Sequence, residues 1–150
     1  MRKPIVYGLF IIASVAVGVI SGVSNIPGEW YQQLNKPFFN PPNWIFGPVW
    51  TVLYGMIGAA LASTWYDQNN TRRLVVFAVQ AVLNLLWSPA FFGMQNPVLG
   101  LTIIVPMLAF ILLFFAMSWR PNRTAALLFV PYALWVAFAT MLNISIVMLN

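Results

Sequence analysis

The sequence predicts an all-α integral membrane protein, a bundle of five transmembrane helices with a folded loop capping a pocket and no soluble domain. Three observations predict it. Of 150 residues, 61% are hydrophobic and only 6% charged, whereas a water-soluble domain carries roughly a quarter charged. The seven basic and two acidic residues are gathered at Arg2 and Lys3, at Glu29 and Lys36, at Asp67, Arg72 and Arg73, and at Arg120 and Arg123. The stretches between them are continuously apolar, unlike the alternating segments of about ten residues that build a lipid-facing barrel.

A helix crossing a hydrocarbon core of about 30 Å needs about 20 apolar residues. Five segments meet that length: Ile5 to about Ser24, Trp44 to Trp65, Leu74 to Phe92, Val98 to Trp119, and Thr124 to about Leu149. The third and fourth form one uncharged run, divided here at Gly93-Met94-Gln95-Asn96-Pro97, because Gly and Asn-Pro punctuate helices. The first segment follows Arg2 and Lys3, as in a secretory signal, but it is longer than such a core and no small-x-small site clearly ends it. The whole chain, 1–150, reads as one transmembrane domain.

If the spans alternate, Arg2, Lys3, Arg72, Arg73, Arg120 and Arg123 share one side and Lys36 stands alone on the other. Cytoplasmic loops carry the excess of Lys and Arg, which places the N-terminus inside and the C-terminus outside. The net charge of +5 thus encodes topology; a nucleic-acid partner would need basic residues on one exposed face.

One connection differs from the tight turns elsewhere. Pro27 to Asn43 is long and holds Trp30, Tyr31, Phe38, Phe39 and Pro37, Pro41 and Pro42. We read it as a folded lid over the outer end of the bundle; the alternative is an aromatic belt at the membrane interface.

No cysteine or histidine is present, which removes disulfides, zinc and iron–sulfur sites, His or Cys haem ligation, and Cys-His or Ser-His nucleophiles. Neither a metal nor a cofactor is expected. The only carboxylates, Glu29 and Asp67, lie outside the spans, which argues against a proton-coupled exporter and against acid–base catalysis in the membrane.

Inside the spans, period 3.6 aligns Gln80, Asn84, Trp87, Ser88 and Phe91 on one stripe of the third helix. The fifth helix offers Trp135, Ala139, Leu142 and Asn143, and the second Trp50 and Tyr54. An amide facing lipid is costly, so these faces should converge on the interior. Two readings stand: the amides cross-link helices while the tryptophans fill space, or the residues line a cavity for a large, flat, apolar ligand. Small residues at four-residue spacing, Ser14, Gly18 and Gly22 and then Gly55, Ala59 and Ser63, predict close helix approach within the bundle or in a homodimer.

Three stretches taken together, WYQQLNKPFFNPPNWIFGPVW (Trp30 to Trp50), LNLLWSPAFFG (Leu83 to Gly93) and PYALWVAFATMLN (Pro131 to Asn143), resemble the TspO family, also called translocator protein or peripheral benzodiazepine receptor. The resemblance covers essentially the whole chain. It implies a five-helix bundle, often a homodimer, whose first loop caps a pocket that takes porphyrins such as protoporphyrin IX and, in animals, cholesterol and benzodiazepine-type ligands. Carried over by motif, the pocket would use Trp30 and Tyr31 from the lid, Trp44, Phe46, Trp50 and Tyr54 from the second span, Asn84, Trp87, Ser88 and Phe91 from the third, and Trp135, Ala139, Leu142 and Asn143 from the fifth. A flat porphyrin would stack on the indoles, with Asn or Tyr at its polar edge. The cholesterol motif of the animal proteins needs a basic residue near the C-terminus, yet nothing after Arg123 is basic; Leu61, Tyr66 and Arg72 match its spacing elsewhere.

The expected function is therefore a membrane receptor or carrier for protoporphyrin IX and other flat hydrophobic ligands. Alternatives are light-dependent porphyrin degradation, with Trp50 and Trp135 as the candidates for a radical step, and transport of tetrapyrroles or sterols. The expected partners are the porphyrin, the lipid bilayer and a second copy of the chain, and the expected location is a bacterial inner membrane.

Overall fold

The computed structural model describes residues 2–150. Helices α1 (Lys3–Ser24), α3 (Phe46–Trp65), α4 (Thr71–Ser88), α5 (Pro97–Ser118) and α6 (Arg123–Leu149) are the long elements, with a short α2 (Glu29–Gln33) in the first connection. Among the described residues there is no strand, and five helices are long and apolar enough to cross a membrane. The predicted spans agree with these bounds to within three residues, apart from the end of the third.

Local chemistry accounts for the ends. Pro4 sits in the first turn of α1 and Pro97 in that of α5, where a missing N–H costs nothing. Asn96 and Asn122 cap α5 and α6, their side chains accepting from Leu99 N and Ala125 N, each at 3.0 Å. Before α5 the chain reverses through Gln95, whose φ is 53°.

The third span departs from a single α-helix. Pro89 has no N–H for the Leu85 carbonyl, and the chain responds with a π turn over Pro89–Gly93, closed by Met94 N donating to Pro89 O at 2.8 Å. The wider turn sets Phe91 against Gly100 of α5: a Cβ there would lie 2.9 Å from Phe91 Cδ2 and 3.1 Å from Asn143 Oδ1. Only a glycine lets α5 come this near both neighbours.

α6 is the hub, packing on α3 and α5, while α4 packs on α5 and α1 leans chiefly on α3. Leu53, Ile57, Phe77, Ile104, Met107, Phe114, Phe129, Tyr132 and Val136 form the dry core between them. α1 is peripheral, with Gly18 its one buried residue. Two glycines seat it: a Cβ on Gly18 would overlap the Tyr54 ring, and a Cβ on Gly58 would stand 2.6 Å from Phe10 O and 2.8 Å from Ile11 Cα. The expected ridge of Gly55, Ala59 and Ser63 is thus displaced by one helical turn's face. Gly55 meets only Val15, at 3.9 Å, Ser63 instead bonds Asn122, and Gly22 meets nothing within 4 Å among the described residues.

Lys3 Nζ lies 5.2 Å from the Tyr66 ring centre, and Asn122 Nδ2 donates to Asp67 Oδ2 at 2.7 Å. The start of α1, the α3–α4 turn and the α5–α6 turn therefore share one end. The lid and the end of α6 share the other, since Asn150 Oδ1 accepts from Asn35 N at 3.0 Å and its Nδ2 donates to Asn35 O at 2.9 Å.

Candidate functional site: a lidded cavity inside the bundle

The core does not fill the lid end. A cavity of about 550 Å³ lies there, lined by α1, α3, α4, α5 and α6 and by Tyr31 of the lid. Its volume is in the range of about 300–1,000 Å³ usual for small-molecule sites. Of the residues expected at a pocket, Tyr31, Phe46, Trp50, Tyr54, Asn84, Trp87, Ser88, Phe91, Trp135, Ala139, Leu142 and Asn143 all line it.

Two others do not. Trp44 belongs to a 3-10 turn (Asn43–Ile45) ahead of α3 and is 74% exposed, the position of an interfacial tryptophan. Trp30 packs edge-on against Phe91 with ring centres 5.9 Å apart, behind the wall it supports. The lid and belt readings of the first connection therefore each hold for part of it. Phe38 and Trp44 are exposed, while Tyr31 is buried against Phe91 and Phe92.

The lid is seated by three independent holds. Tyr31 packs into the aromatic group of Trp87, Phe91 and Phe92, with Lys36 Nζ 4.6 Å from its ring centre. Its hydroxyl donates to Asn40 Oδ1 at 3.4 Å. Burial pushes the Tyr31 phenol above its ordinary pKa, and the Asn40 bond pulls the other way. Phe39 approaches Phe138 of α6 at 6.2 Å, and Asn35 is clasped by Asn150 as described.

The amides prove to be both cross-links and cavity wall. Tyr54 OH donates to Asn84 Oδ1 at 2.5 Å, Asn84 Nδ2 to Tyr132 OH at 2.6 Å, and Tyr132 OH to Gln80 Oε1 at 2.8 Å. This chain of four side chains ties α3, α4 and α6. Trp87 Nε1 donates to Asn143 Oδ1 at 3.1 Å, and Asn143 Nδ2 to Pro97 O at 2.8 Å, which ties α4, α6 and α5. Gln80, placed on the polar stripe, is fully buried in this network and does not reach the cavity. Trp135 Nε1, by contrast, is buried without a partner among the described residues.

Sequence reasoning missed Tyr132, although it lies three residues before Trp135 and eleven before Asn143 on the same helical face. It also missed the contribution of α1, whose Gly18, Gly22, Val23 and Asn25 line the cavity. Nothing in the composition of that helix marks one face as inward.

Comparison with known proteins agrees with this architecture. The model of the TspO/MBR family matches residues 10–149. The "Tryptophan-rich protein TspO" of Chlorobaculum tepidum is 46% identical over 129 residues, 83% of this chain and 82% of that one. The "Tryptophan-rich sensory protein" of Cereibacter sphaeroides is 34% identical, across 95% of this chain and 90% of its own. The human "Translocator protein" is 30% identical, across 95% and 89%. With a family match over nearly its full length and relatives of the same extent, this five-helix membrane protein belongs to the TspO/MBR family.

Proposed function

We propose that the protein is a membrane receptor or carrier that binds protoporphyrin IX, or a similarly flat hydrophobic molecule, in the lidded cavity. The observation that carries this reading is the composition of the wall: Phe46, Trp50, Trp87, Phe91 and Trp135 surround the same hollow. Broad aromatic faces contribute apolar burial and stacking to a planar guest. The bonding pattern refines which groups meet its polar edge. Asn84 and Asn143 each already use both ends of their amides within the protein. The free N–H of Trp135 and the hydroxyl of Ser88 are the better placed donors, because an unpaired buried N–H gains most from a ligand acceptor.

Fluorescence titration of the purified protein with protoporphyrin IX tests the reading. Trp50→Phe combined with Trp135→Phe is expected to weaken binding by about tenfold or more, from loss of stacking area and one hydrogen bond worth about 1.5–3 kcal/mol together. Equal affinity in the double variant would refute the site. The position of Trp50 and Trp135 on one cavity favours a second reading, oxidation of an illuminated porphyrin through these indoles. Porphyrin bleaching no faster with the protein than with free tryptophan would remove it.

The basic end, with Arg2, Lys3, Arg72, Arg120 and Arg123, is proposed to face the cytoplasm of a bacterial inner membrane, and the lid the opposite side. Association as a homodimer is part of the same proposal.

A further inference from the structure

A second hollow lies outside the bundle, on the seam between α3 and α6. It is a groove of about 600 Å³ flanked by Pro48, Val52 and Met56 on one helix and Pro131, Leu134 and Phe138 on the other. No lining side chain carries a hydroxyl, amide or charge. Pro48 to Met56 runs about 12 Å at about 1.5 Å per residue, close to one leaflet of a hydrocarbon core about 30 Å thick. Its position in α3 puts it in the leaflet on the lid side. Nothing but the apolar part of the bilayer bathes this face.

Trp135 lines this groove and the inner cavity alike. Its indole fills the seam between the two hollows. Edge contacts with Phe46 at 5.9 Å and Phe138 at 5.5 Å hold it, while its N–H has no partner among the described residues to fix the ring orientation. Phe138 in turn lies between the groove and Phe39 of the lid. Pressure on the outer face of one ring therefore reaches the wall of the cavity, and pressure on its neighbour reaches the lid.

We propose that the α3–α6 groove is a binding site for one acyl chain of a bilayer phospholipid, and that Trp135 couples its occupancy to the inner cavity. A chain packed in the groove backs the indole and holds it in the orientation that closes the cavity wall. Ligand in the cavity and lipid in the groove then strengthen one another, and the coupling is reciprocal. The coupling half of the proposal rests on the cavity being a porphyrin site; the groove half does not.

The experiment uses delipidated protein in detergent micelles, dimyristoyl phosphatidylcholine as the lipid probe and protoporphyrin IX as the cavity probe. Val52 and Leu134 are 60% and 68% exposed and do not line the cavity, so Val52→Trp with Leu134→Trp fills the groove from outside. The parent is expected to bind porphyrin about fivefold more tightly with lipid present, the lower end of ordinary couplings. The filled variant is expected to bind with the parent's lipid-free affinity or better and to ignore lipid. Retention of the full lipid effect by the variant would overturn the coupling. A second measurement does not depend on the variant folding: phosphatidylcholine brominated along its acyl chains should quench parent emission more than that of Trp135→Phe. Equal quenching would overturn the groove as a lipid site. A parent that binds no porphyrin refutes the cavity reading and with it the coupling, while the bromine arm still decides the groove.

Discussion

Replacing Gly58 by alanine adds one methyl group at the point where α1 crosses α3, and the structure says what that methyl meets. It would stand 2.6 Å from the Phe10 carbonyl oxygen and 2.8 Å from Ile11 Cα. Both are backbone atoms, so no side chain can turn aside. Ordinary carbon contacts lie at about 3.5–4.0 Å, and α1 must therefore move off by about 0.7–1.2 Å. Overpacking of this kind costs about 1–3 kcal/mol, while alanine gains about 0.8–1.0 kcal/mol over glycine in a helix interior. Gly22→Ala isolates the second effect, because its methyl meets nothing within 4 Å. Gly58→Ala should be less stable than Gly22→Ala by about 1–3 kcal/mol, which for a chain of this size is a melting difference of about 2–12 °C. Thermal unfolding in detergent, followed by circular dichroism, gives the comparison. Since α1 forms one wall of the cavity, the same variant should also weaken porphyrin binding. Equal shifts for the two alanines would refute the claim that backbone contact at Gly58 seats the first helix.

Further outcomes follow from other contacts. Tyr132→Phe leaves Gln80 and Asn84 each short of one buried partner, and should cost about 1–3 kcal/mol in unfolding free energy. Asp67→Asn removes the charge facing Arg73, which is 4% exposed and bonded to Asp67 at 2.9 Å. The loss, about 1–3 kcal/mol after allowance for the partial exposure of Asp67, should appear in thermal melts. The raised phenol of Tyr31 must be neutral for the lid to seat; its stabilisation is complete below the unfolded value of about 10 and is lost as pH climbs through the higher folded value. Hydrogen exchange over Glu29–Gln33 should therefore be insensitive to pH near neutrality, after correction for the intrinsic rate, and opening should increase only at strongly alkaline pH. Tyr31→Phe should abolish that alkaline step.

The spans were legible because lipid leaves little choice: a helix must be long and apolar, and charges must wait at its ends. The break between the third and fourth spans was equally readable, since Asn96 and Pro97 carry a cap and a first turn in two letters. The stripe of Asn84, Trp87, Ser88 and Phe91 could be placed inward because an amide has few tolerable neighbours in a membrane. What escaped were features fixed by shape rather than polarity. Gly58 looks no different from Gly55 until α1 is laid against it. Trp44 and Trp50 have the same chemistry, and only the 3-10 turn ahead of α3 sends one to the interface and the other to the cavity. The stripe also could not separate Gln80, consumed by Tyr132, from Asn84, which reaches the hollow as well. Prolines were read as punctuation, so the one at position 89 was expected to be absorbed silently and instead reshaped the end of its helix.

That reshaping has a consequence for how the gene can change length. A π turn accommodates one residue more than the α turn it replaces, and here the extra residue carries Phe91 round to meet Gly100 and Trp87. Losing a single codon between Pro89 and Gly93 would restore regular winding and rotate everything before the next reversal by about 100°. Phe91 would swing out of the wall and a different side chain would take its bearing. Most membrane helices tolerate a conservative exchange far better than a frame-preserving deletion, and at this spot the disparity should be at its widest.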